Sequence, residues 1–588
     1  TFLVLIPFCL VSGFTFVKLI SVARSGNDFV PGKSFSIETA GGVVSGILIS
    51  LLTSGLLNTY QLLLLIIILS VAYVLLTFYI SSFKTRIYAK IFISVLATLI
   101  IIFNTDIFFR QILLPGIKVT GSKETPYGNI TIGNYKGEQS IYYNQRLLSY
   151  NDDAIEREEN IHYAMLQSDS PEKVILVSGS LHSHLPEILK YPVKKIIYIE
   201  RDPALTKSEI SPTDTFPVKL VIANNDAFRY IRSSGELVDV IILLIPPPST
   251  LLLNRYYTTE FFNEVKKRLN AGGIFMCSPG PGDNYFNKES LNLYSSVFNS
   301  LATVFKNVKP VVGNKLYFIA SDKELSVSFC QLTEMRNIKN IYVSSDFLAD
   351  DLITKKSDEV KLLIDSGVKQ NRSAFPVACF HFQSYNFSKN LDEKIPAIIL
   401  IIIVFAVPVL TIKRRNLLMY FSASALAGFE IIILLTLQLI VGNMYQLTGL
   451  IIAGLMTGLA VGAGVNIRFL NSFSVRNISV ILMGFYVGFG LIYNYMLALK
   501  SGLPAVGLII LSVFLPALYT GHIFRELTRN TEGTSTSSAI YSADLAGSAL
   551  GFILISGFSV PALGIQVSVF LLSILIFTGF LFGTVRNK

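Results

Sequence analysis

The chain contains no tryptophan, four cysteines and only 15% charged residues. The cysteines stand in no metal-like spacing, which argues against a zinc site and against a disulfide scaffold. Cys330 and Cys379 could pair if the middle of the chain is oxidised; two unpaired thiols are the equal alternative. Missing tryptophan, with heavy use of Ile, Asn and Lys, points to an AT-rich genome and decides nothing about mechanism. The scarcity of charge says more. Mean hydropathy is +0.55 and 51% of residues are hydrophobic, too apolar for a soluble protein of 588 residues. The net charge of +10 does not call for nucleic acid, because a basic surplus in a membrane protein marks its cytoplasmic loops.

What is present is a set of apolar runs. They lie at 2–22, 36–56, 59–82 and 87–105, and again at 396–412, 417–440, 446–465, 478–497, 503–523, 540–558 and 562–583. A helix crosses a bilayer in about 20 apolar residues, so these predict about eleven spans. The expected fold is an α-helical multi-pass membrane protein with an inserted α/β Rossmann-like domain. Four regions follow: membrane residues 1–105, a small β-hairpin domain at 106–160, the α/β domain at 161–394, and membrane residues 395–588. The lipid bilayer is therefore the first expected partner.

The membrane part carries an internal repeat. FSIETAGGVVSGILIS (35–50) matches YSADLAGSALGFILIS (541–556), with Glu38 against Asp544, Ser36 against Ser542 and Gly41 against Gly547. Both copies should run the same way through the membrane, a parallel repeat. Three spans from 417 to 497 lack a counterpart in the first half. Either the repeat is incomplete or the first half has lost its opening helices; Thr1 in place of Met favours a truncated chain, whose missing helices a partner chain could supply. Gly42 and Gly46, Gly547 and Gly551, and the run Gly454, Gly458, Gly462 give small faces that suit close helix packing. Glu38, Glu430 and Asp544 are ionisable groups in apolar helices, functional candidates by default. Glu38 and Asp544 stand near helix starts and suit a structural role, which leaves Glu430 as the better proton or cation site.

Lys and Arg set the expected topology. The loops with Lys33, Lys84, Lys413, Arg468, Arg525 and Arg586 fall on one face if every span crosses once. That face is then cytoplasmic, and the soluble domain lies outside the cytoplasmic (inner) membrane of a bacterium.

The soluble stretch has its own logic. Short apolar runs at 174–177, 195–199, KLVIA, VDVIILLI and GGIFMCS have the spacing of successive parallel strands. A turn of small residues follows the first, and a helix-like stretch runs from 185 to 190. A carboxylate, Glu200, ends the second, about 20 residues after the turn, where a Rossmann fold holds ribose hydroxyls. NITIGNYKGEQSIYYNQRLLSY (129–150) alternates like strands, with a turn at Lys136-Gly137. His182-x-His184 could converge on a metal, but no Asp or Cys joins them at ligand spacing; the expectation is two surface imidazoles and no metal.

YIERDPAL with Glu200 and Asp202, NNDAFRYI with Asp226, PPPSTLLLNRYYTTEFF, RLNAGGIF and NRSAFPVACF together resemble the spermidine synthases. More closely, the whole chain resembles the multi-pass membrane spermidine-synthase-like proteins of bacteria. The resemblance implies aminopropyl transfer from decarboxylated S-adenosylmethionine to putrescine. It implies that Glu200 and Asp226 meet ribose and adenine, that Gly179 lies in the glycine turn, and that the β-hairpin domain covers the site. It also implies two acids after the fourth strand, one of which deprotonates the amine. Here Leu244 and Pro247 occupy those positions, and neither accepts a proton. The turn reads Ser178-Gly179-Ser180-Leu181-His182-Ser183 where the family has glycines, so His182 should crowd a cofactor. Asn254-Arg255-Tyr256-Tyr257 is expected to fix the helix after the fourth strand. The reading is a non-catalytic binding or assembly subunit of a membrane complex, with protein partners or a second copy and at most a vestigial site for decarboxylated S-adenosylmethionine or methylthioadenosine. The rivals are an active aminopropyltransferase using Asp226 or Asp283, and a transporter with the outer domain as a capturing lid.

Overall fold

The structure, a computed structural model, describes residues 31–52, 57–74, 83–102, 105–125, 127–150, 153–209, 216–282, 286–390, 403, 407, 409–441, 445–466, 472–497, 502–529 and 534–583. The expected span at 2–22, most of that at 396–412, and Asp283 lie outside them.

Helices α1 (Pro31–Leu52), α2 (Thr59–Val74) and α3 (Phe83–Ile102) precede the soluble region, and α4 (Thr105–Leu113) leads into it. Arg110 of α4 holds Asp106 at 3.0 Å and Glu124 at 3.1 Å, and Thr59 Oγ1 donates to Glu124 at 2.7 Å. One carboxylate thus ties α2 and α4 to the first strand. β1 (Lys118–Thr125), β2 (Gly128–Tyr135), β3 (Glu138–Tyr143) and β4 (Arg146–Tyr150) form an antiparallel meander. Its β2–β3 turn is Lys136-Gly137, as the sequence predicts. Both residues have positive φ, +51° and +97°, the backbone a tight hairpin needs.

The α/β domain has seven strands: β5 (Lys173–Val177), β6 (Lys195–Ile199), β7 (Lys219–Ala223), β8 (Val238–Leu243), β9 (Leu269–Pro281), β10 (Asn307–Val312) and β11 (Lys315–Ser321). Their order is β10-β11-β9-β8-β5-β6-β7; β5 to β9 are parallel, and β11 runs antiparallel to both β9 and β10. Chain direction across the sheet reverses between β5 and β8, so a crevice opens above their carboxyl ends. The strands alternate into two cores. Ile175, Ile197 and Ile241 face one side, and Val174, Leu176, Ile196 and Ile242 face the other.

The main helices of this domain are α5 (Ala154–Met165), α6 (Leu181–Ile188), α7 (Pro203–Glu209), α8 (Ala227–Ser233), α9 (Thr259–Arg268), α10 (Lys288–Ala302) and α11 (Val377–Asn390). Glu158 of α5, fully buried, accepts the backbone N–H groups of Ile341, Tyr342 and Val343, each at 2.8 Å. Cys277, Cys330 and Cys379 are buried free thiols, so the Cys330–Cys379 pairing is not made.

Helices α12 (Arg414–Val441), α13 (Tyr445–Gly464), α14 (Val475–Leu497), α15 (Leu503–Arg529), α16 (Thr534–Ile553) and α17 (Ile565–Gly583) form the C-terminal bundle. Among the described residues six helices are long and apolar enough to cross a membrane, where the sequence predicts about eleven spans. The expected runs at 36–56, 59–82 and 87–105 correspond to the described helices α1, α2 and α3.

Glycines set the closest approaches. A β-carbon at Gly458 would lie 2.5 Å from Phe514 O, and one at Gly521 2.5 Å from Leu459 O, so α13 and α15 touch backbone to backbone. At Gly547 and Gly551 of α16 it would fall on the carbonyls of Tyr420 and Ser424 in α12. The small faces therefore pack helices, as expected. The repeat is not repeated in the contacts: Gly41, the counterpart of Gly547, faces open space, while Gly42 of α1 meets Met456 of α13. Ser36 bonds across to Ala460 O at 2.8 Å, whereas Ser542 bonds back to Ser538 O in its own helix. Gly547→Leu is expected to cost about 3 kcal/mol by overpacking. Thermal unfolding of the detergent-solubilised chain reads this, with Gly41→Leu as a control that leaves the midpoint unchanged.

Candidate functional site

The β5 exit places the turn. Ser178 has φ +60° and Gly179 +78°, a left-handed pair that lifts the chain over the sheet edge. Ser178 N donates to Ile199 O at 2.9 Å, and Tyr198 OH to Gly179 O at 2.7 Å, which lock the turn to β6. A β-carbon at Gly179 would lie 2.7 Å from Leu244 Cδ1, so Leu244 packs directly on the turn. Leu244 and Pro247, which stand at the β8 exit, supply no acid there. Tyr257 OH, a single donor, lies 2.7, 3.2 and 2.9 Å from the carbonyls of Ile245, Pro246 and Ser278, which fastens that exit to the end of β9.

Glu200 and Asp226 reach the same crevice, and both are engaged by the chain itself. Glu200 is 6% exposed; its Oε2 accepts Ser178 Oγ at 2.8 Å and its Oε1 accepts Asp202 N at 3.1 Å. Burial pushes its carboxyl above the usual range. Asp226 caps α8, accepting Arg229 N at 3.1 Å through Oδ1. Its Oδ2 accepts Tyr256 OH at 2.7 Å and is in an ion pair with Arg255.

A third carboxylate, Glu209 at the end of α7, fills the start of α6. Its Oε2 accepts Leu181 N at 2.7 Å, and burial pushes its pKa to about 7. Sequence reasoning missed Glu209 and the Arg255–Asp226 pair. No local pattern marks either, since each joins segments far apart in the chain.

The β-hairpin domain closes over the loop after β6. Asp202 accepts Thr125 Oγ1 at 2.5 Å and Tyr143 OH at 3.4 Å, while Arg201 stacks over the Tyr127 ring at 4.9 Å. Between β3 and α6 lies a cleft of about 680 Å³ with Gln139, Ile141, Arg157, His182, Glu187 and Glu209 on its walls. His182 is exposed there rather than folded over the turn. His184 is not a surface imidazole: it is 6% exposed, with Nδ1 2.5 Å from Ser180 O and Nε2 3.1 Å from Asn160 Nδ2. Those partners require a neutral ring with the proton on Nδ1. Burial lowers its pKa to about 4, which agrees. Helix α6 begins at Leu181 and not at 185, because Ser180 caps it by accepting Ser183 N.

Among the described residues no group of three or more His, Cys, Asp or Glu could hold a metal. The membrane carboxylates are separate from the crevice. Glu38 of α1 accepts Tyr541 OH of α16 at 2.7 Å; Asp544 follows one turn after Tyr541, mid-way along α16 and not near its start as the sequence suggests, because the helix begins at Thr534; Glu430 is half-buried on α12.

A family model, the spermine/spermidine synthase domain, matches residues 154–332. The polyamine aminopropyltransferase of Oceanobacillus iheyensis is 26% identical over 244 residues, 39% of this chain and 46% of that protein. That of Leptospira interrogans is 26% identical over 163 residues, 26% of this chain and 33% of that protein. This chain thus matches less than half the length of either relative. The spermidine synthase from Thermotoga maritima aligns at TM-score 0.34 and 19% identity, over 42% of this chain and 87% of that one.

Proposed function

From a spermine/spermidine synthase domain carried on helices long and apolar enough to cross a membrane, we propose a membrane protein whose soluble domain does not transfer aminopropyl groups. It serves as a binding or assembly module on the membrane bundle, facing away from the cytoplasm of a bacterial cell. The observation that carries the reading is the β8 exit, where Leu244 and Pro247 stand at the sheet edge that a general base for an attacking amine would need. The other described carboxylates of the crevice make contacts within the chain: Glu200 with Ser178, Asp202 with Thr125 and Ala204, Asp226 with Arg255 and Tyr256, and Glu209, through Oε2 alone, with Leu181. The basic loops support the orientation, and decarboxylated S-adenosylmethionine, made in the cytoplasm, would not reach such a domain.

Full-length chain in detergent, given decarboxylated S-adenosylmethionine and putrescine, is expected to form no spermidine above the protein-free background. Turnover well above background would overturn the reading. A cysteine-labelling assay at an exposed soluble position, Ser233→Cys, should report reagent access from outside intact cells. Protection there would place the domain in the cytoplasm and favour the relatives' activity.

A further inference from the structure

Arg255 is the residue that the crevice and the membrane bundle share. It is 4% exposed. One face of its guanidinium pairs with Asp226 and approaches Tyr256 OH at 2.7 Å. Its other terminal nitrogen, Nη1, donates to Gln438 O at 3.2 Å. Gln438 lies in the last turn of α12, which ends at Val441. The last four carbonyls of a helix have no partner within it, and a cation there is favoured by the helix dipole. Arg255 therefore caps a membrane helix from the soluble domain. Its Nε is buried without a hydrogen-bond partner, so the side chain is held by these contacts at its tip. Around it Leu251, Pro376, Leu435, Leu439 and Ile565 close an apolar crevice where water competes poorly for the charge.

We propose that Arg255 is a latch that makes occupancy of Asp226 and capping of α12 mutually exclusive. Asp226 Oδ1 caps its helix, and Oδ2 is shared by Tyr256 OH and Arg255, so a ligand N–H that takes Oδ2 competes with Arg255 for it. A ligand amine that binds there displaces the guanidinium, and displacement withdraws the cap from Gln438. The coupling is reciprocal: whatever loosens the end of α12 frees Arg255 and lowers the affinity of Asp226 for it. Helix α12 also carries Glu430, eight residues or about two turns before Gln438. The inference extends the non-catalytic reading by giving the retained crevice a task.

Hydrogen exchange on the full-length chain in detergent tests it in two arms. Asp226→Asn keeps the helix cap, because Asn caps as well as Asp, but removes the charge that holds Arg255. Amides 438–441 are expected to exchange at least tenfold faster in this variant, with α17 unchanged as an internal control. Exchange within twofold of wild type would overturn the latch. In the second arm, calorimetry with methylthioadenosine is expected to give a Kd at least tenfold lower for Arg255→Gln than for wild type. Equal affinities, or no binding by either protein, would overturn the ligand half. Aminopropyl transfer, if it were found, would refute the non-catalytic reading and leave the exchange comparison intact, so the two failures are distinguishable.

Discussion

Asn371→Ala is expected to lower the stability of the soluble domain by about 3 kcal/mol, the cost of leaving two buried backbone groups unpaired. Asn371 is fully buried. Its Nδ2 donates to Tyr257 O at 2.9 Å and reaches Asn254 O at 3.4 Å, and its Oδ1 accepts Ala378 N at 3.2 Å. Alanine keeps the backbone bonds to Ser300 and Thr259 but removes all three side-chain contacts. Tyr257 O and Ala378 N then have no water to turn to. The substitution also reaches the crevice, because Arg255 and Tyr256 lie between the two carbonyls that Asn371 grips. The expected result is a fall in the thermal midpoint of the full-length chain together with faster amide exchange at 254–258. Asn263→Ala is the control. That side chain is exposed and bonds only Thr259 O in its own helix, so its loss should stay within about 0.5 kcal/mol. A midpoint for Asn371→Ala equal to the control would show that the 371–378 segment does not hold the NRYY string.

The local pattern of this domain is legible because strand periodicity and turn chemistry act over a few residues. The runs at 174–177 and 195–199 are β5 and β6 nearly to the residue, and Lys136-Gly137 is the hairpin turn the alternation requires. The start of α6 is misread by four residues. Its signal is a single serine, and Pro186 inside the helix suggests a break where none occurs. His182 and His184 are indistinguishable in sequence, yet one is exposed and the other buried between Asn160 and Ser180. Only the helix phase set by Ser180 separates them. The site is less legible than the fold. Glu200 and Asp226 reach the crevice, and Leu244 and Pro247 follow β8 at its edge. What occupies the carboxylates comes from far away: the Arg255–Gln438 bond spans 183 positions. A single sequence holds no information on which of many basic residues closes that distance. Glycine faces behave likewise. Their presence in α1 and α16 is plain, but which glycine meets which neighbour depends on helix rotation, and the two similar stretches differ in it.

Glu159 should give the soluble domain a pH dependence that a single substitution removes. The side chain sits under the β10–β11 turn, where Oε2 accepts Asn314 N at 2.8 Å and Oε1 accepts Tyr163 OH at 3.3 Å. Burial outweighs these donors and lifts its pKa from 4.5 to about 7. The folded chain therefore holds this proton more tightly than the unfolded chain. Unfolding releases it between pH 4.5 and 7, so its contribution to stability is full below 4.5 and is lost as pH rises through 7. The buried histidines oppose this. His184, lowered to about 4, must take up a proton on unfolding below 6.5, which removes stability as pH falls. Wild type alone mixes the two slopes, and the difference from Glu159→Gln isolates one. Glutamine keeps an acceptor for Asn314 N and carries no charge at any pH. The variant and wild type should therefore be equally stable near pH 4.5. By pH 8 the variant should be the more stable by on the order of 3 kcal/mol, the equivalent of the shift. Urea unfolding of both proteins at pH 5, 6, 7 and 8 reads the divergence directly. Parallel curves would mean that Glu159 is ionised throughout, with its charge held by Lys315 and the donors at the turn.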